Sequence, residues 1–295
     1  MDLEKLTTEK RNEKTMQLDE MNMEEILYLI NNEDQTVPKS VEKEIPQIKK
    51  VVEAIVTAFQ NKGRLIYMGA GTSGRLGILD AAECVPTFGT PPEKVVGLIA
   101  GGISAMTVAV EGAEDSEGLA KCDLQELQLN NKDIVIGIAA SGRTPYVVGG
   151  LKYANDVGAT TASIACNKNA VISTYATLPI EVEVGPEILT GSTRLKSGTA
   201  QKLILNMLST VSMISIGKIY KNLMVDVKPT NEKLIERSKR IIMQATDCTY
   251  EESSEIFEQA NRDVKLAIVM LLTNLGKGEA KERLKEAKGF VRKAL

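Results

Sequence analysis

The spacing of apolar positions changes twice along the chain. Between Thr36 and Gly63, Ile45, Ile48, Val52, Ile55, Val56 and Phe59 recur at helical intervals. Thr36 suits an N-cap, Pro38 a first turn, and Lys62-Gly63 a stop. After Arg64 short continuous apolar runs appear instead, at Leu65–Gly69, Val95–Ala100, Ile134–Ala139, Thr161–Ala165 and Leu178–Val184. Helical patterns follow near 75–83, 103–128, 145–157 and 197–221. Strands that are apolar throughout, with helices between them, belong to a parallel sheet covered on both faces. The expected fold is α/β: a three-layer α/β/α domain over 63–228 with a five-stranded parallel sheet, preceded by a helical segment, 1–62, that packs on it. Lys228-Pro229-Thr230-Asn231 then interrupts the chain. Beyond it, Thr249 with Glu252 forms a capping box, Asp263 opens a further helix, and Gly276 and Gly278 mark a turn. Residues 229–295 thus form a small helical bundle, too short for a thick core of its own.

Composition narrows the chemistry. Lys plus Arg is 36 against 39 Asp plus Glu, a net charge of -3, and there is no long basic run. That balance argues against a nucleic-acid partner. No apolar run approaches the roughly 18 residues of a membrane span, and the charged N-terminus lacks a signal-peptide core, so the expectation is a cytoplasmic protein without a membrane partner. The chain has no histidine, which removes Ser-His-Asp and Cys-His mechanisms and His-ligated zinc. General acids and bases must come from Asp, Glu, Lys, Tyr or Cys. Cys84, Cys122, Cys166 and Cys248 are scattered, with no CxxC, and read as free, mostly buried thiols.

Three strand-to-helix loops share one chemistry. They are Gly69-Ala-Gly-Thr-Ser-Gly-Arg75, Ala140-Ser-Gly-Arg-Thr-Pro145 and Thr190-Gly-Ser-Thr-Arg-Leu-Lys-Ser-Gly198. Each puts glycine, hydroxyl residues and a cation at an expected helix N-terminus, where free N–H groups and the helix dipole favour an anion. One such loop alone reads equally as a helix cap; three on one sheet edge read as a site. The first also fits GxGxxG, but the following strand ends Leu98-Ile-Ala-Gly-Gly102 without the acid that a dinucleotide ribose requires. Gly74 is followed by Arg75-Leu76, so it is no P-loop. A small monophosphate fits better.

The stretches MGAGTSGRLGILDAAECVPTF (68–88), VEGAEDS (110–116) and VGPEILTGSTRLKSGTAQKLILNMLST (184–210) closely resemble the N-acetylmuramic acid 6-phosphate etherases, bacterial enzymes built on a sugar isomerase (SIS) domain. The likeness extends to LTTEKRNEKTMQLDEM and to the helical tail, which resembles a ubiquitin-associated-like three-helix module. It implies removal of D-lactate from the carbon-3 ether, by elimination and then hydration, in recycling of cell-wall amino sugars. It implies homodimers with no cofactor and no metal. By family correspondence Glu83 is the acid and Glu114 the second acid/base residue. Phosphate contacts carry over to Gly71, Thr72 and Ser73, and to Ser141 and Thr144. Ser192, Thr193 and Lys196 carry over loosely to the sugar or the lactyl carboxylate.

The residues themselves leave more open. Glu83, between Ala82 and Cys84, reads either as a shielded proton donor or as a solvent-facing helix end. Glu114, beside Glu111, Asp115 and Glu117, reads by default as a solvated acidic turn. Lys196 is a carboxylate partner or a surface cation. Arg75 and Arg143 are read as structural partners of acids. Glu83 lies nine residues after Gly74, so an unbroken helix carries it about 13 Å from the first loop. Either the helix breaks, or Glu83 serves a neighbouring subunit's site; the second is favoured. The competing function from another class is a non-catalytic sugar-phosphate-binding regulator of the same fold family. Aldose–ketose isomerisation is the competing reaction.

Overall fold

The computed structural model describes residues 6–229 and 231–295. They form two compact units: residues up to Ala82 with Glu93–Ser209, and Glu83–Pro92 with Thr210–Leu295.

The first unit is built on five parallel strands, β1 (Leu65–Gly69), β2 (Val95–Ile99), β3 (Ile134–Ala139), β4 (Thr160–Ala165) and β5 (Leu178–Glu181), in the order β2-β1-β3-β4-β5. Gly69 lies opposite Ile99 on one side and Ile138 on the other, so the carboxyl ends of β1, β2 and β3 share an edge. β1 and β3 are buried throughout, as continuous apolar strands require, whereas β2 at the sheet edge is partly exposed. Before the sheet come α1 (Met23–Asp34), α2 (Val37–Glu42) and α3 (Ile45–Gln60). Within the first unit run α5 (Glu117–Glu126) and α6 (Pro145–Val157), while α4 (Gly71–Phe88) and α7 (Lys196–Ser215) start in it and end among the residues of the second. Ile66, Met68 and Val135 pack with Leu124 of α5 and Tyr146, Val147 and Leu151 of α6. A Cβ at Gly149 would stand 2.2 Å from the Glu117 carbonyl oxygen, so only glycine lets α5 and α6 approach this closely.

Several expected boundaries shift, each for a local reason. The helix expected from Thr36 is two helices, because Pro46 sits in the first turn of α3 and has no N–H for a longer one. Thr36 does not cap it; its hydroxyl donates to the Glu33 carbonyl at 2.6 Å. The helix expected at 103–128 is a single 3-10 turn at Ile103–Met106, an irregular stretch, and α5. Gly101, Gly102 and Gly112 take φ of 88°, 72° and 72°, which a right-handed helix does not admit, and Ser116 caps α5 by accepting from the Leu119 N–H. The helix expected near 75–83 is longer and runs unbroken through Pro86. The one expected at 197–221 ends at Ser215, before Gly217 at φ 81°.

The second unit carries α8 (Glu232–Thr246), α9 (Tyr250–Gln259), α10 (Val264–Thr273), α11 (Lys277–Glu286) and α12 (Val291–Ala294) around Ile242, Phe257, Ala267, Ile268 and Val269. Thr249 and Glu252 form the expected capping box, Asp263 caps α10, and Gly276 caps α11. Thr230, in the expected break, lies outside the described residues. Among the described residues no helix is long and apolar enough to cross a membrane.

Candidate active site

The loops after β1 and β3 are held firmly at the sheet's carboxyl edge. Gly71 opens α4 at φ 52°, and a Cβ there would meet nothing within 4 Å. The backbone is therefore bare where the free N–H groups of α4 begin, the geometry that an approaching anion needs. Thr72 is half-buried. Ser73 is buried, and its hydroxyl donates to Gln201 Oε1 at 3.0 Å. The Ser141–Thr144 loop is pinned from several sides. The Gly142 N–H donates to the Ala139 carbonyl, the Gly142 carbonyl accepts from Ile172, and Asn167 Nδ2 donates to the carbonyls of Ala140 and Ser141. Ser141, Arg143 and Thr144 are half-buried on this platform.

The third loop differs from the expectation. The carboxylate of Glu187, wholly buried, accepts the backbone N–H groups of Lys196 and Ser197, each at 2.9 Å. A protein carboxylate thus already holds the first free N–H groups of α7, so this helix end is not an open anion seat. Lys196 is not a surface cation either. Its side chain is 4% exposed and its ammonium stands 2.8 Å from Glu33 Oε2. Ser192 and Thr193 remain half-buried on the loop. A Cβ at Gly198 would lie 3.5 Å from Thr72 Cγ2, so the first and third loops are brought side by side.

Sequence reasoning missed the acids behind this edge. Glu33 accepts from Lys14 and Lys196 Nζ, both at 2.8 Å, and from Asn12 Nδ2 at 3.0 Å. Burial works against its charge, but these donors win and hold its carboxyl at about 2, below the ordinary 4.5. Asp80, inside α4, accepts from Tyr67 and Ser209 hydroxyls, with Lys202 Nζ at 3.5 Å; burial pushes its carboxyl up against these partners. Asp80 lies within the stretch 68–88, where its register on the apolar face of α4 could have marked it, whereas Glu33, in the polar run Asn31-Asn-Glu-Asp34, carries no such signal. The amide nitrogen of Gln201 and the hydroxyl of Ser197 are buried without a partner among the described residues. Cys166 is buried and its thiol is pushed up to about 12 by that burial, so it offers no thiolate. Cys84 is buried as well, but Cys122 is exposed and Cys248 partly so, against the expectation of mostly buried thiols.

The two glutamates carry different surroundings. Glu114 lies in the irregular stretch before α5, its side chain exposed, and its carbonyl accepts the Tyr146 N–H in the first turn of α6. It therefore adjoins the Ser141–Thr144 platform. Glu83 is exposed on α4 and is not shielded by Ala82, which is exposed too. The unbroken α4 removes the helix break as a way of bringing Glu83 back to the first loop. Among the described residues Arg75 does not pair with an acid: its guanidinium donates to the carbonyls of Ala105 and Met106, at 2.7 and 2.9 Å, and so anchors the turn after β2. Among the described residues Arg143 has no acidic partner either; there only its backbone N–H is engaged, donating to Ser141 Oγ at 3.3 Å.

Comparison with known proteins agrees with this architecture. The SIS domain model matches residues 102–211, and the model of the glucokinase regulatory protein N-terminal SIS domain matches residues 47–155. The chain is 70% identical over 295 residues to N-acetylmuramic acid 6-phosphate etherase 2 of Lactiplantibacillus plantarum, covering 100% of both proteins. The chain belongs to the N-acetylmuramic acid 6-phosphate etherase family. It is also 68% identical over 293 residues to an etherase of that name from Bacillus cereus, covering 99% of this chain and 100% of that one. The phosphoheptose isomerase of Francisella tularensis has the same fold, with a TM-score of 0.50 and 17% identity, covering 66% of this chain and 100% of that one. Etherase and isomerase thus share one SIS scaffold, and the family assignment rests on the full-length identity.

Proposed function

We infer that this etherase-family chain cleaves the D-lactyl ether of N-acetylmuramic acid 6-phosphate, giving N-acetylglucosamine 6-phosphate and D-lactate. The observation that carries the reading is likeness over the whole length, all 295 residues aligning at 70% identity with a protein of that name. The phosphate sits against Gly71, Thr72 and Ser73 and against Ser141 and Thr144, with Ser192 and Thr193 facing the sugar. Lys196, committed to Glu33, supports that third loop from behind. The sugar ring opens to the aldehyde. Glu114 takes the carbon-2 proton, the electron pair forms the carbon-2–carbon-3 double bond, and the lactyl oxygen leaves with a proton from Glu83. Water then adds at carbon 3 and a proton returns to carbon 2. Two carboxyl groups suffice, one protonated and one ionised, which suits a chain without histidine.

The chain acts as a homodimer in the cytoplasm, on cell-wall amino sugars already phosphorylated. Glu83 works in the neighbouring subunit's site. The unbroken α4 supports this, since it leads the carboxyl away from the first loop of its own chain. We also propose three domains: a helical segment at 1–62, the SIS domain at 63–228 and a helical domain at 229–295.

The decisive assay incubates the purified chain with N-acetylmuramic acid 6-phosphate in EDTA, without nucleotide, and measures lactate. Release of lactate is expected. Tight binding without release would make the protein a sugar-phosphate sensor. In oxygen-18 water the label should enter at sugar carbon 3; label in the lactate would exclude elimination and hydration.

A further inference from the structure

Cations inside a protein need partners, because a guanidinium or ammonium withdrawn from water without one is costly. In the first unit the Arg and Lys side chains that are not exposed are nearly all satisfied. Arg64 pairs with Asp133, Lys152 with Glu117, Lys196 with Glu33 and Lys202 with Asp80. Arg75 and Lys94 donate to backbone carbonyls. Among the described residues of that unit, Arg143 is the one half-buried cation whose side chain has no hydrogen-bond or ion-pair partner. It projects from a loop pinned by several hydrogen bonds at the sheet's carboxyl edge, between Ser141 and Thr144. The same loop leads into the turn that holds the Glu114 backbone.

We propose that the Arg143 guanidinium binds an anionic oxygen group of the substrate as an ion pair. This rests on the proposed function, whose substrate carries two such groups, the 6-phosphate and the lactyl carboxylate. A guanidinium forks onto either with two parallel N–H···O bonds, and a rigid loop holds the fork ready without ordering cost at binding. The third loop's free N–H groups and the Lys196 ammonium are already taken by Glu187 and Glu33, so Arg143 supplies the positive charge that those groups do not.

The test is titration of the full-length chain and its Arg143→Met and Arg143→Lys variants with two half-substrates. N-acetylglucosamine 6-phosphate carries only the phosphate; unphosphorylated N-acetylmuramic acid carries only the carboxylate. Arg143→Met should weaken binding of one of them about 10- to 100-fold, and Arg143→Lys should restore part of it. The half-substrate that loses affinity identifies the anion, and loss of both means the guanidinium touches both. The melting temperature should stay within about 2 °C of the parent, since the side chain has no partner among the described residues. Unchanged affinity for both, no measurable binding of either to the parent chain, or weakening that accompanies a lowered melting temperature overturns the proposal. The lactate assay separates it from the activity. Lactate release that is identical in parent and Arg143→Met removes only the role of Arg143. Absence of release, with the binding loss present, removes only the reaction.

Discussion

The carbonyl oxygen of Glu114 accepts the backbone N–H of Tyr146 at 3.0 Å. This bond ties an irregular acidic stretch to the first turn of α6. Tyr146 is itself fixed, buried, with its hydroxyl donating to Asp123 Oδ2 at 2.5 Å. An exposed glutamate on a loop thus acquires a fixed address beside the Ser141–Thr144 platform. Because among the described residues only its backbone is engaged, Glu114→Gln should fold with wild-type stability while lactate release falls by about 10²–10⁴. Turnover near wild type would remove Glu114 from the reaction.

Glu83→Gln should be equally inactive by itself. The informative experiment mixes the two inactive variants after subunit exchange. If each site combines Glu83 of one subunit with Glu114 of the other, half of the random dimers hold one intact site, and about a quarter of the activity returns. Sites built within one subunit return none.

Gly71 stands at φ 52° with open space where a Cβ would go. Gly71→Ala should cost about 1–2 kcal/mol through the left-handed backbone alone. Its methyl meets no protein atom, so a loss of turnover of about 10² would report on a ligand approaching the first loop. Equal turnover would place the phosphate elsewhere.

Glu33 and Lys196 form a buried pair, 8% and 4% exposed. The folded state holds the Glu33 carboxyl at about 2 against an ordinary 4.5, so the unfolded chain binds the extra proton between these values. The stabilisation is full above about pH 4.5 and is lost as the pH falls towards 2. Glu33→Gln leaves the Lys196 ammonium buried and unpaired, and should cost about 3–5 kcal/mol at neutral pH. Thermal unfolding across pH should show the variant with a flatter acid limb; an unchanged melting temperature at pH 7 would contradict the pairing.

Periodicity and punctuation carried most of the fold. The five apolar runs are the five strands, and the capping box at Thr249 and the cap at Asp263 stand where side-chain chemistry demanded them. These features depend on neighbours in the chain, which a sequence displays. Helix ends were less legible where glycines at φ above zero or a second proline intervened, because such residues report a break only once the backbone conformation is known.

The amino-acid sequence by itself determined the parallel sheet, the hydroxyl- and glycine-rich loops along one of its edges, and a proton chemistry restricted to carboxyl groups by the lack of histidine. Tertiary structure alone decided which charges are spent inside the protein. Glu187 takes the free N–H groups of α7, Glu33 takes Lys196, Asp133 takes Arg64, and Arg143 is left over. The reason is range: backbone preference acts over a few residues, whereas an ion pair such as that of Glu33 and Lys196 joins side chains 163 positions apart and exists only after the chain has closed.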